Sequence, residues 1–211
     1  MQIYRAYDDG YWPDPAVCLW FAVYGRRIFC FKEKTWYRGQ ITSEDSRNPG
    51  MAQEIIQESK GMRVVTTYCD PKMEVKTSAD IYSARDKFEN AGVPMDPSLN
   101  DRAVFVHAIH TLLDEKVGPN TPRIQFYARG CPQLIKALPR MKFNERDPAK
   151  MADHRMDHWP VAMAYFAMSQ IPTTSPRKAT ILHPWQLPKR DNRISTARLI
   201  DRRLLRAMKH R

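Results

Sequence analysis

The chain has 211 residues and a mass of 24.7 kDa, enough for one substantial domain and too few for two with a linker. Hydrophobic residues make up 43% and charged residues 27%, which excludes wholesale disorder. The longest apolar stretch, 16–24, is about half of what a membrane-spanning helix requires, and the opening Met1-Gln-Ile-Tyr-Arg reads as a strand, so neither a membrane-embedded nor a secreted protein is expected.

The formal charge of +11 is unevenly spread. Residues 171–211 hold eleven Lys/Arg against two Asp/Glu, while residues 1–170 hold 23 against 21. A near-neutral body with a cationic tail points to a polyanion partner, because each neutralised phosphate releases a counterion. A solvated extension that only aids solubility is the plainer alternative. A membrane-surface role fits less well, since the apolar side of the basic stretch 194–208 is short and lacks aromatics.

In chain order, residues 3–8, 16–24 and 28–37 read as an antiparallel meander, with Tyr24-Gly25-Arg26-Arg27 as a turn. A polar loop over 42–50 leads to a helix over 51–60, stopped by Gly61. The β-branched run 63–69 is a fourth strand, ending at Asp70-Pro71. Helices are predicted over 78–90, closed by Gly92, and over 101–117, with Val104, Phe105, Ala108, Leu112 and Leu113 as the buried stripe. A short strand over 123–128, a helix over 130–138 and a last helix over about 156–169 complete the body.

Beyond Ile171-Pro172 prolines and basic residues take over, so a domain over 1–170 and a basic tail over 171–211 are expected. Hairpins followed by strands separated by helices predict an α/β fold, with a mixed sheet flanked by helices. Cys18, Cys30, Cys69 and Cys131 form no C-x-x-C pair and read as small buried hydrophobes in a reducing compartment.

Three carboxylates fall where such a sheet could gather them. Asp8 closes the first strand, and Asp70 ends the fourth, at the carboxyl edge where open α/β sheets bind ligands. Asp157 begins the last helix, with His154 three residues earlier and on the same side of a helical turn. Taken singly, each Asp reads more readily as a turn or helix cap, and His154 as a surface histidine. Together at one edge they would repel one another without a cation. Oxygen-rich sites suit Mg²⁺ or Mn²⁺, and two such ions can activate a water and stabilise the leaving oxygen of a phosphodiester.

The pattern Arg5-Ala-Tyr-Asp8-Asp9-Gly10, the strand end Cys69-Asp70-Pro71, the pair Asn100-Asp101, the helix Cys131-Pro-Gln-Leu-Ile and the closing Asp153-His154-Arg-Met-Asp157 resemble the nuclease domain of tailed-phage large terminase subunits, over about residues 3–169. The resemblance implies a ribonuclease-H-like fold and a two-metal endonuclease that cuts concatemeric viral double-stranded DNA. Asp8, Asp70 and Asp157 then match the metal-binding carboxylates, and His154 the histidine of the H-x-x-D element, as ligand or proton acceptor. Asp14 matches an accessory acidic position, with a turn role equally open.

The chain departs from the family pattern at His158-Trp159-Pro160-Val161, where members commonly read Ala-Leu-Arg-Tyr. Pro160 sets the helix start no earlier than about Met156 or Asp157. No G-x-x-x-x-G-K-[ST] is present, so ATP hydrolysis is not expected of these residues.

By resemblance the partners are a terminase ATPase motor domain, a small terminase subunit and a portal or procapsid, in the host cell cytoplasm. Arg202, Arg203 and Arg206 are expected to contact phosphates without reading sequence. Two rivals stay open: a Holliday-junction resolvase or integrase-type nuclease of the same fold, and a non-catalytic basic DNA-binding or capsid-assembly protein.

Overall fold

Three antiparallel strands open the computed structural model, which describes residues 1–10, 13–45, 47–76, 80–99, 102–141, 143–144, 147–151 and 157–170. They are β1 (Gln2–Asp8), β2 (Ala16–Tyr24) and β3 (Arg27–Trp36). Tyr24 pairs with Arg27, so Gly25 and Arg26 form a two-residue turn. Gly25 takes φ +59°, which a glycine at the first central position of such a turn adopts without strain.

Helix α1 (Met51–Glu58) leads to β4 (Val64–Cys69). The predicted helix over 78–90 is shorter, α2 (Ala84–Asn90), because Ser83 and Asp86 cap each other's backbone amides and fix the start. Strand β5 (Met95–Pro97) follows, then α3 (Arg102–Asp114), a small hairpin of β6 (Lys116–Gly118) and β7 (Thr121–Pro122), and β8 (Ile124–Phe126). Helix α4 (Pro132–Ala137), the paired β9 (Phe143–Asn144) and β10 (Asp147–Met151), and α5 (His158–Gln170) complete the described residues.

The main sheet has the order β5-β4-β1-β2-β3-β8. The meander is antiparallel, whereas β4 joins β1, β5 joins β4 and β8 joins β3 in parallel, each after a helical crossover. The expected mixed sheet is therefore present. Two interleaved side-chain sets define its faces. Ala6, Val17, Leu19, Phe21 and Tyr68 face α3, α4 and α5, while Tyr7, Cys18, Trp20 and Cys69 face α1 and α2. Strand β2 is buried on both faces from Ala16 to Ala22, as a central strand should be.

Helix α5 is buried from Trp159 to Met168, which explains why its sequence shows no polar face. Ala162, Ala164 and Ala167 let it lie close between the sheet and α3, and Phe166 stacks on Phe21 at 3.9 Å. In α3 the buried stripe is Phe105, Ala108, Ile109 and Leu112; Val104, expected inside, is exposed, since the stripe is centred one residue further round. All four cysteines are free and buried. Among the described residues, no helix is long and apolar enough to cross a membrane.

Candidate active site

Strand alternation sets up the site. Parallel register pairs Ala6 with Tyr68 and Tyr7 with Cys69, so the next residues, Asp8 and Asp70, end neighbouring strands on the face covered by α5. They are close enough for the charge of Asp70 to act on Asp8. The structural reading of Asp70 is realised as well: its Oδ1 accepts from the Lys72 amide at 2.8 Å, capping the 3₁₀ turn Pro71–Glu74. Its second oxygen accepts from the Tyr165 hydroxyl at 3.1 Å, a contact that capping does not require.

The N-terminus of α5 supplies the other side. The Val161 amide donates to the Asp157 carbonyl at 2.7 Å, so Asp157 sits at the N-cap position and His158 is the first helical residue. The start lies one or two residues beyond the expected Met156 or Asp157. Pro160 is the cause: in the first turn its missing amide hydrogen leaves no intrahelical bond unmade. This register turns the His158 ring toward β1, where Nδ1–H donates to Asp8 Oδ2 at 2.7 Å. Its Nε2 lies 3.8 Å from Asp157 Oδ1 and 3.9 Å from Asp14 Oδ1.

Asp14 reaches this edge because the chain folds back closely on itself. A side chain at Gly10 would put Cβ 2.1 Å from the carbonyl of Pro15, so only glycine permits the approach. Replacing Gly10 with alanine is expected to destabilise the protein by about 1–3 kcal/mol, as overpacking against rigid backbone does, read as a lower denaturant midpoint.

The electrostatics follow from burial. Asp8 is buried, and desolvation pushes its carboxyl up to about 6; the bond and charge of His158 oppose the rise, while Asp157 and Asp70 add to it. For His158 burial acts downward, but the Asp8 bond and the charges of Asp8, Asp157 and Asp14 prevail and hold the imidazole above its ordinary value. Asp9, absent from the sequence-based site, is also raised by burial and by Asp70, against the hydrogen bond it accepts from Tyr7 at 3.0 Å.

Asp8, Asp70, Asp157 and Asp14 thus stand around one edge. His154, Arg202, Arg203 and Arg206 lie outside the described residues, as do Asn100 and Asp101. His158 and Tyr165 are the side chains that sequence reasoning missed. Pro160 was the available signal for the first, since a proline in the first turn starts the helix close to residue 158.

The donor chemistry, carboxylate oxygens with one imidazole, is that of a Mg²⁺ or Mn²⁺ site. His158 Nε2 is a buried ring nitrogen without a hydrogen bond, facing two carboxylates, and Asp8 is loaded by like charge that a cation would relieve. The residues therefore fit a divalent ion. Among the described residues, no three His, Cys, Asp or Glu side chains already stand around a single point.

A six-stranded mixed sheet with an antiparallel meander, parallel outer strands and helices on both faces is the ribonuclease-H-like fold. More particularly, it is the fold of large-terminase nuclease domains. The large terminase of a thermophilic bacteriophage, in complex with ATP-γ-S, is 15% identical with a TM-score of 0.58, over 79% of this chain and 39% of that one. The nuclease domain of the large terminase g2p of bacteriophage SPP1, with bound Mn, is 13% identical with a TM-score of 0.52, over 81% and 88%. The large terminase nuclease of the thermophilic phage G20c is 11% identical with a TM-score of 0.56, over 81% and 82%. The chain spans about two-fifths of the length of the first of these, the terminase with ATP-γ-S. No protein-family model and no curated protein matches it.

Proposed function

We propose that this chain is the nuclease domain of a phage DNA-packaging terminase, a divalent-metal-dependent endonuclease that hydrolyses phosphodiesters of double-stranded DNA. The observation that carries the reading is the meeting of Asp8, at the end of β1, with His158 from the N-terminus of α5, beside Asp70 and Asp157. It gains support from a fold shared with terminase nucleases, one of them crystallised with Mn.

Asp8, Asp70 and Asp157 would hold Mg²⁺ or Mn²⁺, two ions in the fullest form of the proposal, with Asp14 as an accessory ligand. Bound there, the metal supplies Lewis acidity at the scissile phosphate and lowers the pKa of water. The chain's own residues do the rest. The positive end of α5 favours the carboxylates gathered at its N-terminus. The Asp8 carboxylate would orient the His158 ring and hold the proton on Nδ1, leaving the buried Nε2, which faces Asp157 and Asp14, to bind the metal or accept a proton. His154, which lies outside the described residues, would stand with His158 as a second candidate ligand or proton acceptor.

Residues 171–211, with Arg202, Arg203 and Arg206, would form a basic tail that contacts phosphates. An ATPase motor domain, a small subunit, a portal and the host cytoplasm belong to the same proposal.

A supercoiled plasmid incubated with Mn²⁺ should be nicked and linearised by the native chain, and Asp70→Ala should slow this by at least about 10³-fold, equivalent to about 4 kcal/mol of barrier. Equal cleavage by both would remove Asp70 from the chemistry. DNA binding without cleavage under any divalent metal would favour the non-catalytic reading.

A further inference from the structure

Asp70 is held at both oxygens, and the two holds have different origins. The Lys72 amide reaches Oδ1 at 2.8 Å from the residue's own turn. The Tyr165 phenol reaches Oδ2 at 3.1 Å from α5, 95 residues away in the chain. Tyr165 is two helical turns beyond His158, so the two project from one side of α5. Helical side chains lean toward the N-terminus, which carries the phenol back toward the edge where Asp157 and His158 sit.

The ring is fixed in turn. It is fully packed, edge-on to Phe105 at 5.3 Å with an interplanar angle of 88°. Its backbone carbonyl accepts from Ser98 Oγ at 3.1 Å, and the Ser98 amide donates to the Cys69 carbonyl at 2.9 Å. A continuous chain of bonds therefore links the end of β4, the loop after β5 and α5.

Resting on the nuclease reading above, we infer that Tyr165 is a positioning residue that orients the Asp70 carboxylate toward a divalent cation. Its hydroxyl selects one rotamer of Asp70 and ties that carboxylate to the helix that brings Asp157 and His158. Outer donors of this kind tune affinity: removing one costs about 10–100-fold in metal binding.

The test is Tyr165→Phe in the full chain, which deletes one oxygen and preserves the buried ring. Mn²⁺ binding is measured by titration calorimetry, and the Mn²⁺ midpoint of plasmid nicking is read beside it. The expected result is a Kd raised about tenfold, a parallel rise in the nicking midpoint, and a rate at saturating Mn²⁺ within a few-fold of native. In an Asp70→Ala background, where the acceptor of the phenol is deleted, the same substitution should change Mn²⁺ binding little, because the interaction it removes is already gone. Phe105→Leu, which loosens the ring without touching the phenol, should leave Mn²⁺ affinity unchanged and so reports any purely structural effect.

Native Mn²⁺ affinity in a folded Tyr165→Phe protein would overturn the inference while leaving the nuclease reading intact. An equal loss in Phe105→Leu would reduce Tyr165 to packing. If the native chain binds no Mn²⁺ and cleaves nothing, the nuclease reading fails, and the inference goes with it.

Discussion

Asp8→Asn should abolish cleavage and, in the absence of metal, make the protein more stable at pH 8. Folding raises the Asp8 carboxyl from its usual 3.8 to about 6, chiefly by burial. Below about pH 4 the side chain is protonated in both states and burial carries little penalty. Between about pH 4 and 6 the folded state holds the extra proton, so stability falls as pH rises. Above that window the penalty is complete, about 3 kcal/mol for two pKa units. His158 works in the same direction, because its raised value adds stability at low pH that is lost as the pH climbs through it.

Asparagine removes the buried charge and leaves a neutral amide oxygen toward His158, so the bond loses its charge assistance, worth about 1–2 kcal/mol. The balance is a gain of about 1–2 kcal/mol at pH 8 in EDTA that vanishes or reverses at pH 4. Urea unfolding across that range reads it directly. Saturating Mn²⁺ should invert the order, since a ligand at about 100 times its Kd adds about 2.7 kcal/mol to the protein that binds it and nothing to one that does not. A large loss of stability for Asp8→Asn at pH 8 without metal would instead make Asp8 a structural group.

The same residues show what was legible beforehand. Asp8 and Asp70 could be read because each terminates a run of alternating or β-branched residues, and strand ends are where a parallel pair delivers side chains to one edge. The meander could be read because Gly25 punctuates it. By contrast β5, β6, β7 and β9 have two or three residues each, too few for a period of two to appear. Their pairing is decided by the strands beside them. The edge position of β5 depends on β4, which pairs Thr67 with Met95.

The missed site residues failed for another reason. The family motif draws the eye to His154, three positions before Asp157 and outside the described residues, while a second histidine, His158, directly follows Asp157. That the His158 ring meets Asp8 depends on where α5 starts, and helix ends are set by capping and packing as much as by local propensity. Tyr165 was invisible for a related cause. In a helix apolar all round, nothing in the spacing tells which aromatic hydroxyl meets a carboxylate and which ring merely fills space. Tertiary packing makes that distinction, through a partner 95 residues away.

Helix α5 therefore has two duties, and Phe166→Ala should separate them. The ring is fully buried, stacked on Phe21 at 3.9 Å and tilted against Tyr4 and Tyr68 at 6.2 and 6.4 Å. Removing it empties the centre of the core between helix and sheet, with an expected loss of about 3–5 kcal/mol, against about 5–15 kcal/mol for a typical domain. Phe166→Leu should cost less, because most of the volume remains. The carboxylates have other neighbours on α5, namely Asp157, His158 and Tyr165. At about 15 °C, near the usual stability maximum, the variant is still folded and its cleavage rate should stay within about tenfold of native. On warming, activity should fall in step with the unfolding transition, about 6–20 °C below that of the native protein, since each kcal/mol lowers Tm by about 2–4 °C in a domain of this size. A variant that melts normally but has lost cleavage in the cold would show that Phe166 holds the register of α5 itself, so that a shift along the helix axis, rather than its detachment, disperses the site.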